Sequence, residues 1–303
     1  MKLIKRLIIP AGIFLLLAVS SLIFYLRSPV LIIIDTPFAA LYGVTRAKIQ
    51  QVFTSLLLFR QVKPVIVADS SGDDVIAVTI NEISNNPFCV IFPRYFAAAA
   101  ERYHADFPQH AAVLLAGTAL AASLPSSDES LFIYRTDAET DLYRAGLMSG
   151  LIAGNFKTEN AEEQKIVVLW QDRYTSDHER ECFSSGVAET NSDAAVVFIS
   201  KVSELPDTKR ISCSVLTSAG YEYIEKNIKA PLILFTWLDP AIVSRGAFVL
   251  FDDSPWALVI PAVKMAGVGQ TEGKIPSSPL VFSGKIADNG IFRTVKKAAK
   301  KPL

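Results

Sequence analysis

Carboxylates and aromatic rings follow many of the short apolar runs in this sequence. Carboxylates accept paired hydrogen bonds from hydroxyl groups, and flat rings stack on aromatic faces. The set therefore predicts binding of a neutral or cationic small molecule that carries a ring and hydroxyls. Any one of these residues could instead be a helix cap or a core-edge ring. The candidate ligand-binding residues are Asp35, Phe38, Tyr42, Asp69, Arg135, Asp137, Trp170, Trp237, Asp239 and Asp252.

Sequence motifs for nucleotide hydrolysis and serine hydrolysis are missing. No G-x-x-x-x-G-K-[ST] loop or G-x-S-x-G elbow occurs. Residues 267–273 resemble a dinucleotide fingerprint, but the segment is one residue too long and follows a predicted helix. His104, His110 and His178 lack the spacing of metal ligands. We therefore expect no cofactor, no metal and no catalytic residues.

The charge balance gives no reason to expect a nucleic acid partner. Lysine and arginine together number 30, as do aspartate and glutamate, among 303 residues. The basic run at residues 293–301 predicts a solvated helix end. Cys89, Cys182 and Cys213 form neither a disulfide framework nor a C-x-x-C site. Cys89 and Cys213 lie in apolar runs, so we expect them to be buried.

The N-terminal segment has the composition of a membrane-spanning helix. Lys2, Lys5 and Arg6 form a basic flank, and residues 7–26 carry no charge. About 20 apolar residues suffice to cross a hydrocarbon core of roughly 30 Å. Cleavage at residues 18–20 would give a secreted protein, but the apolar sequence continues past that site, which favours an uncleaved single-pass anchor. Positive charge stays inside, so the body is expected outside the cytoplasm, on the cell membrane.

Behind this segment, apolar runs alternate with segments of helical periodicity. One predicted helix, over residues 38–60, is long and amphipathic. Alternating strands and helices predict right-handed βαβ units and parallel sheets. The strands are predicted at residues 30–34, 64–68, 88–92, 111–116, 131–134, 166–170, 194–199, 211–215, 231–236 and 247–251, and from 281 onward.

These elements predict an α/β fold with two Rossmann-like lobes and parallel sheets. The first lobe is expected to comprise residues 28–137 plus about 241–270, and the second residues 138–240 plus about 271–303. In open α/β sheets, ligands bind at the carboxyl ends of the strands. Two facing lobes would therefore hold the candidate residues in one cleft. Gly146, Gly150 and Gly154 recur every four residues and are expected to let their helix lie close to a sheet.

One of the predicted helices resembles a motif of a known family. Residues 139–154, ETDLYRAGLMSGLIAG, resemble the aromatic-x-Ala-Gly helix of the basic membrane protein family, which includes purine nucleoside receptors of spirochaetes and other bacteria. The order of the later elements is also similar, including residues 183–186, over most of residues 30–285. The resemblance implies the type I periplasmic binding protein fold. It further implies that a nucleoside binds between the lobes and is handed to an ABC transporter permease.

The resemblance also implies roles for two residues. Asp239 is similar in position to the ribose-binding aspartate of the family, and Phe38 to the aromatic residue that stacks on the base. Three features depart from the family. Residues 35–40, DTPFAA, replace a polar glycine-containing loop, residues 252–256, DDSPW, replace a segment with serine and lysine, and the lipid-attachment cysteine is missing.

These departures leave two alternatives open. The same fold could serve as a sensory or structural module that binds a partner protein and has lost or changed its small ligand. An extracytoplasmic enzyme could instead use strand-end carboxylates such as Asp69 and Asp252, because a general acid–base pair needs two such groups close in space.

Overall fold

The computed structural model describes most of the chain after the first residue. Helix α1 covers the N-terminal segment, and two β-sheets with their helices form the body. The described residues are 2–68, 71–117, 131–155, 165–169, 176–217, 230–235, 247–251, 255–269, 278, 280–282 and 289–301.

Within these residues, every predicted strand is found, with ends that agree to within two residues. The strands are β1 Val30–Asp35, β2 Val62–Val67, β3 Cys89–Phe92, β4 Ala112–Gly117, β5 Leu131–Thr136, β6 Lys165–Leu169, β7 Ala195–Ile199, β8 Ile211–Leu216, β9 Leu232–Leu234, β10 Ala247–Phe251 and β11 Leu280–Phe282. The helices are α1 Lys2–Leu26, α2 Thr36–Tyr42, α3 Val44–Leu58, α4 Asp73–Ile83, α5 Ala97–Asp106, α6 Ala138–Asn155, α7 Asp177–Thr190, α8 Pro255–Val268 and α9 Asn289–Ala298.

The first sheet contains five parallel strands in the order β2-β1-β3-β4-β5. All six residues of β1 are buried, as expected for a strand covered on both faces. Leu31 and Ile33 pack against α4 and α5 on one face. Ile32 and Ile34 pack against α2 and α8 on the other. The continuous apolar run of β1 thus reflects two separate cores.

The second sheet contains six strands in the order β11-β10-β9-β8-β6-β7. Its strands are parallel except β11, which pairs antiparallel with β10. Side chains from α6, α7 and α9 form one core cluster with this sheet. The predicted α/β class with parallel sheets is confirmed, with a single antiparallel edge strand in the described part.

The chain passes between the two sheets three times in the described part. It crosses from β5 to α6, from β10 to α8, and from α8 to β11. Helix α8 packs on the first sheet, whereas β10 belongs to the second. The predicted boundary near residue 241 therefore differs from the structure, where the return to the first sheet falls between Phe251 and Pro255.

The single helix predicted over residues 38–60 is divided into α2 and α3. Gly43 separates them with φ 85°, a left-handed conformation that favours glycine. The face of α3 also differs from the expected one. The apolar side of an amphipathic helix is expected to be buried, but the periodic apolar residues Val44, Val52 and Leu56 are 68%, 59% and 67% exposed.

The glycines of α6 bring this helix against another helix rather than against a sheet. A Cβ atom at Gly146 would lie 2.1 Å from the carbonyl oxygen of Phe183 in α7. A Cβ atom at Gly186 of α7 would lie 2.2 Å from the carbonyl oxygen of Tyr143. The glycines on both helices thus allow backbone-to-backbone contact.

The N-terminal segment forms the helix α1, but the prediction that this helix spans a membrane is not supported. Over the part of the chain that the structure describes, no helix combines the length and apolar character needed to cross a membrane. The three cysteines are buried and free, which confirms the prediction for Cys89 and Cys213.

Candidate functional site

Asp35 lies at the carboxyl end of β1, where the sequence predicts a ligand contact. Its side chain is buried, and Oδ1 accepts a hydrogen bond of 2.7 Å from the backbone N–H of Phe38. Asp35 is therefore the N-cap of α2, a position that favours a short carboxylate because it satisfies a free backbone donor. The hydroxyl of Thr36 donates to the carbonyl of Val67 and holds the start of α2 against β2.

The aromatic candidates Phe38 and Tyr42 lie in a stack of three rings with Trp256. The Phe38 and Tyr42 ring centroids are 5.2 Å apart with an interplanar angle of 17°. Tyr42 and Trp256 follow at 6.4 Å and 20°. All three side chains are at most 4% exposed and belong to one core cluster of the first sheet. In this structure Phe38 and Tyr42 are core residues, and their role in ligand binding stays a prediction.

Trp256 was missed as a candidate, although it follows a predicted strand closely in the sequence. It lies in the first turn of α8, and its buried Nε1 has no acceptor among the described residues. A buried N–H without an acceptor is uncommon in proteins. Trp256 Nε1 therefore joins the candidate ligand-binding groups.

Arg135 and Asp137 lie at the same edge of the first sheet as Asp35. Arg135 is exposed in β5, and Asp137 is partly buried just after that strand. The sheet order places β3 and β4 between β1 and β5. At a strand spacing of about 4.8 Å, Asp35 and Arg135 are roughly 14 Å apart along the edge. These two candidates share the edge but are not neighbours.

Five candidates lie outside the described residues: Asp69, Trp170, Trp237, Asp239 and Asp252. Each follows a described strand, and four of them follow strands of the second sheet. Their predicted roles stay predictions.

Arg94 and Glu179 join the two sheets at their carboxyl edges. Arg94 follows β3 after Pro93, and its Nη1 lies 3.1 Å from Glu179 Oε1. Glu179 lies in the first turn of α7, after β6 of the second sheet. Both side chains are mostly buried, at 16% and 7% exposed. The strand ends of the two sheets therefore face each other across this ion pair.

Glu179 is held in place by its own helix terminus. Its Oε2 accepts a hydrogen bond of 2.9 Å from the Ser176 backbone N–H, and the Ser176 hydroxyl accepts one from the Glu179 N–H. This capping box orients the carboxylate toward Arg94. Arg94 is not among the candidates from the sequence, although its position directly after β3 is visible there.

Asp141 and Ser278 form a second link, between two of the chain crossings. Asp141 is in the first turns of α6, and its Oδ2 accepts a hydrogen bond of 2.9 Å from the backbone N–H of Ser278. Ser278 lies on the connection from α8 to β11. Burial raises the pKa of the Asp141 carboxyl to about 7, although the hydrogen bond from Ser278 opposes the shift.

The described residues at these edges supply polar and aromatic side chains. Among the described residues, no group of three or more His, Cys, Asp and Glu side chains could hold a metal ion. Two facing strand edges are joined here by an ion pair and by the connections that cross between the sheets.

No family model matches the sequence, and no curated protein matches it either. The fold is shared with solved structures. An ABC transporter solute-binding protein from Aeropyrum pernix is 12% identical, with 90% of each chain covered and a TM-score of 0.59. One from Agrobacterium vitis bound with alpha-D-tagatopyranose is 11% identical, with 88% of this chain and 98% of that chain covered and a TM-score of 0.58.

A transcriptional activator of the comK gene from Bacillus halodurans is also similar. It is 14% identical, with 90% of this chain and 96% of that chain covered and a TM-score of 0.60. Likenesses at these identities show the fold and not the activity. This protein therefore has the α/β fold of the type I periplasmic binding proteins, as the sequence resemblance implied. Membership in the basic membrane protein family is not shown by these similarities.

Proposed function

We propose that this protein is an extracytoplasmic solute-binding protein that captures a small molecule between two lobes for an ABC transporter. The contact between Arg94 and Glu179 is the observation that carries the proposal. It joins the carboxyl edges of two parallel sheets, and such edges are where α/β sheets bind ligands. The fold shared with structures of solute-binding proteins supports the same function.

The proposed mechanism is hinge closure without bond chemistry. Three chain crossings join the lobes and supply the hinge, and the Asp141–Ser278 hydrogen bond ties two of them together. A ligand that contacts both edges favours the closed arrangement by its differential affinity for the two states. In this view, Arg94 and Glu179 form their ion pair when the lobes are closed.

A hydroxylated ring molecule is the proposed ligand, with a nucleoside as the first candidate. Asp239 would accept hydrogen bonds from ribose hydroxyls, and the Trp256 N–H would donate to an oxygen of the ligand. Sugars are the other candidate, because neighbours of the same fold bind D-arabinose and alpha-D-tagatopyranose. Phe38 would stack on the ring of the ligand only if its own stack with Tyr42 opens, because both rings are buried here.

We also propose that the N-terminal segment tethers the body to the cell membrane, close to the permease. Residues 7–26 carry no charge and follow the basic residues Lys2, Lys5 and Arg6. A tethered binding protein stays near its transporter, which raises its effective concentration there.

Thermal unfolding against a panel of nucleosides, nucleobases, sugars and amino acids tests the proposal. A saturable rise of several degrees is expected with one class, because a ligand that binds only the folded state stabilises it. Asp239→Ala should abolish the rise with a nucleoside or a sugar. Asp74→Ala is the matched control, because that carboxylate lies on the exposed face of α4. A panel that gives no rise with any compound contradicts the proposed function.

A sensory or partner-binding module is the second candidate function. At the end of β1, the protein's own groups fill the edge: Asp35 caps α2, and Phe38 and Tyr42 are buried in a ring stack. The fold is also found in a transcriptional activator. A partner that binds the lobe surfaces would raise the melting temperature when no small molecule does. The enzymatic alternative, through Asp69 and Asp252, has no observation in its favour among the described residues.

A further inference from the structure

We propose that the outward face of α3 lies on the membrane surface beside α1, so that the first lobe docks on the lipid bilayer. This outer face of α3 consists of Ile49, Val52, Phe53, Leu56 and Leu57. The five residues are spaced i, i+3, i+4, i+7 and i+8, and each is 56–67% exposed. A continuous apolar stripe on a protein surface indicates a protein or membrane contact.

The orientation of α3 is fixed by polar contacts on its inner face. The hydroxyls of Thr54 and Ser55 are buried and donate to the carbonyls of Gln50 and Gln51, each at 2.6 Å. The Ser55 hydroxyl also accepts a hydrogen bond of 3.0 Å from the backbone N–H of Val62 in β2. The helix therefore buries its hydroxyls and presents its apolar stripe outward, which reverses the usual arrangement of a surface helix.

The outer face of α3 continues into the N-terminal helix. The rings of Phe24 in α1 and Phe59 at the end of α3 are 5.9 Å apart and meet edge to face. Arg27 donates to the Phe59 carbonyl, and its guanidinium lies 5.6 Å from the Phe59 ring centroid. The end of α1, where the proposed anchor would leave the bilayer, therefore lies next to the apolar stripe.

The charge of this part of the chain favours an anionic lipid surface. Residues 27–68, which follow the proposed anchor on its outward side, contain five lysines and arginines and a single acidic residue, Asp35, which is buried, whereas the whole chain is balanced. Basic residues beside an apolar face attract anionic lipid headgroups, each by about 1 kcal/mol. A second copy of this chain is a poorer occupant, because a two-fold contact would bring the exposed Lys48 of α3 close to the same helix of the other copy, where like charges repel.

The dimensions of α3 fit an interfacial helix. Its 15 residues span about 22 Å, and such a helix buries its apolar face about 5–10 Å into the bilayer boundary. The inference rests on the proposed anchor and does not depend on the ligand.

A fluorescent label on the outer face of α3 tests the inference in the full chain. Leu56→Cys carries an environment-sensitive dye, and Val78→Cys on α4 is the control, since both native side chains are mostly exposed, at 67% and 57%. Helix α4 packs on the opposite face of the first sheet. The native cysteines are at most 6% exposed, and burial raises the pKa of Cys89 and Cys213 to about 12, so neither labels at neutral pH.

The labelled chains are placed in vesicles of phosphatidylcholine and phosphatidylglycerol. We expect the emission of the Leu56→Cys label to shift to the blue and to be quenched by brominated lipids. The Val78→Cys label should stay accessible to iodide in the water. Equal quenching by iodide at both positions, in chains that float with the vesicles, overturns the docking of α3 and leaves the anchor intact.

Two further outcomes would overturn the inference in different ways. In the first, the emission shifts to the blue but is not quenched by brominated lipids, and the shift is reversed when the protein is diluted in the vesicles. The outer face of α3 then contacts a second copy of the chain and not the lipid. If the full chain does not float with vesicles, the proposed anchor is wrong, and the docking of α3 that rests on it is wrong as well. Ligand binding, measured by thermal unfolding of the same preparation, reports separately on the proposed function.

Discussion

At the scale of single residues, Asp141 is the group whose ionisation bears most directly on the hinge. Its carboxylate lies between the first turns of α6 and the connection that carries Ser278. The charge of Asp137 raises the pKa of Asp141, and the charge of Arg144 lowers it. Arg144 Nη1 stays 3.7 Å from Oδ1, too far to satisfy that oxygen. The ionised form is therefore poorly compensated in the folded protein.

The stability of the protein should fall as the pH rises from about 4 to about 7. The pKa of Asp141 is raised from 3.8 to about 7, so the folded state holds a proton that the unfolded state has lost in this range. Asp141→Asn should remove this dependence and raise the free energy of unfolding at pH 8 by about 2–4 kcal/mol. Urea titrations at pH 5 and pH 8 measure it, with Asp74→Asn as an exposed control. Parallel pH profiles for Asp141→Asn and the wild type would refute the account.

The sequence predicted residue types at strand ends better than it predicted the partners of those residues. Asp35 lies at the edge where it was placed, but its oxygen bonds to the Phe38 N–H of its own chain. Glu179 and Arg94 are separated by 85 positions, and Asp141 and Ser278 by 137. Pairs so distant in sequence depend on how two sheets face each other, which local patterns do not specify.

At the scale of secondary structure, the contact between α6 and α7 depends on glycines. Two of the three glycines spaced by four residues on α6, Gly146 and Gly150, were correctly associated with close packing, but the packing partner is a helix and not a sheet. The difference arises because spacing identifies a small-residue face without identifying what covers it. The same limitation explains α3, where the periodic apolar residues predicted a helix correctly and its buried face wrongly.

Gly146→Ala should destabilise the protein, because the new methyl group would lie 2.1 Å from a backbone oxygen that cannot move without shifting α7. Overpacking of this kind costs about 1–3 kcal/mol in the free energy of unfolding. Gly154→Ala is the matched control on the same helix, since its methyl group would meet only Asn191 Nδ2 at 3.5 Å. That variant should be neutral or slightly stabilising. Urea unfolding measures both, and equal stabilities would count against the close contact.

At the scale of the whole molecule, the alternation of strands and helices in the sequence predicted two α/β lobes. The order of the strands within each sheet is seen only in the structure. Parallel strands need crossover connections, so the repeated pattern was sufficient for the fold class. The assignment of β10 to the first lobe differed from the structure because the chain returns to the first sheet only at α8. Sequence periodicity does not indicate which of two similar sheets a strand joins.

The proposed function requires that the two lobes close around a ligand. The ion pair between Arg94 and Glu179 defines the closed separation of the two edges at that point. Ala98 and Asp177 lie close to this pair along the chain and are exposed, so spin labels at Ala98→Cys and Asp177→Cys report the separation without disturbing the core.

Electron–electron double resonance between these two labels, in the full chain with increasing ligand, is the most direct test. The ligand is the compound that gives the largest saturable rise in melting temperature. If the lobes close around a ligand, the fraction of molecules with a short distance between the two labels should grow with ligand concentration. It should have the same midpoint as the rise in melting temperature. A distance distribution that does not change when the ligand is saturating would contradict the claim.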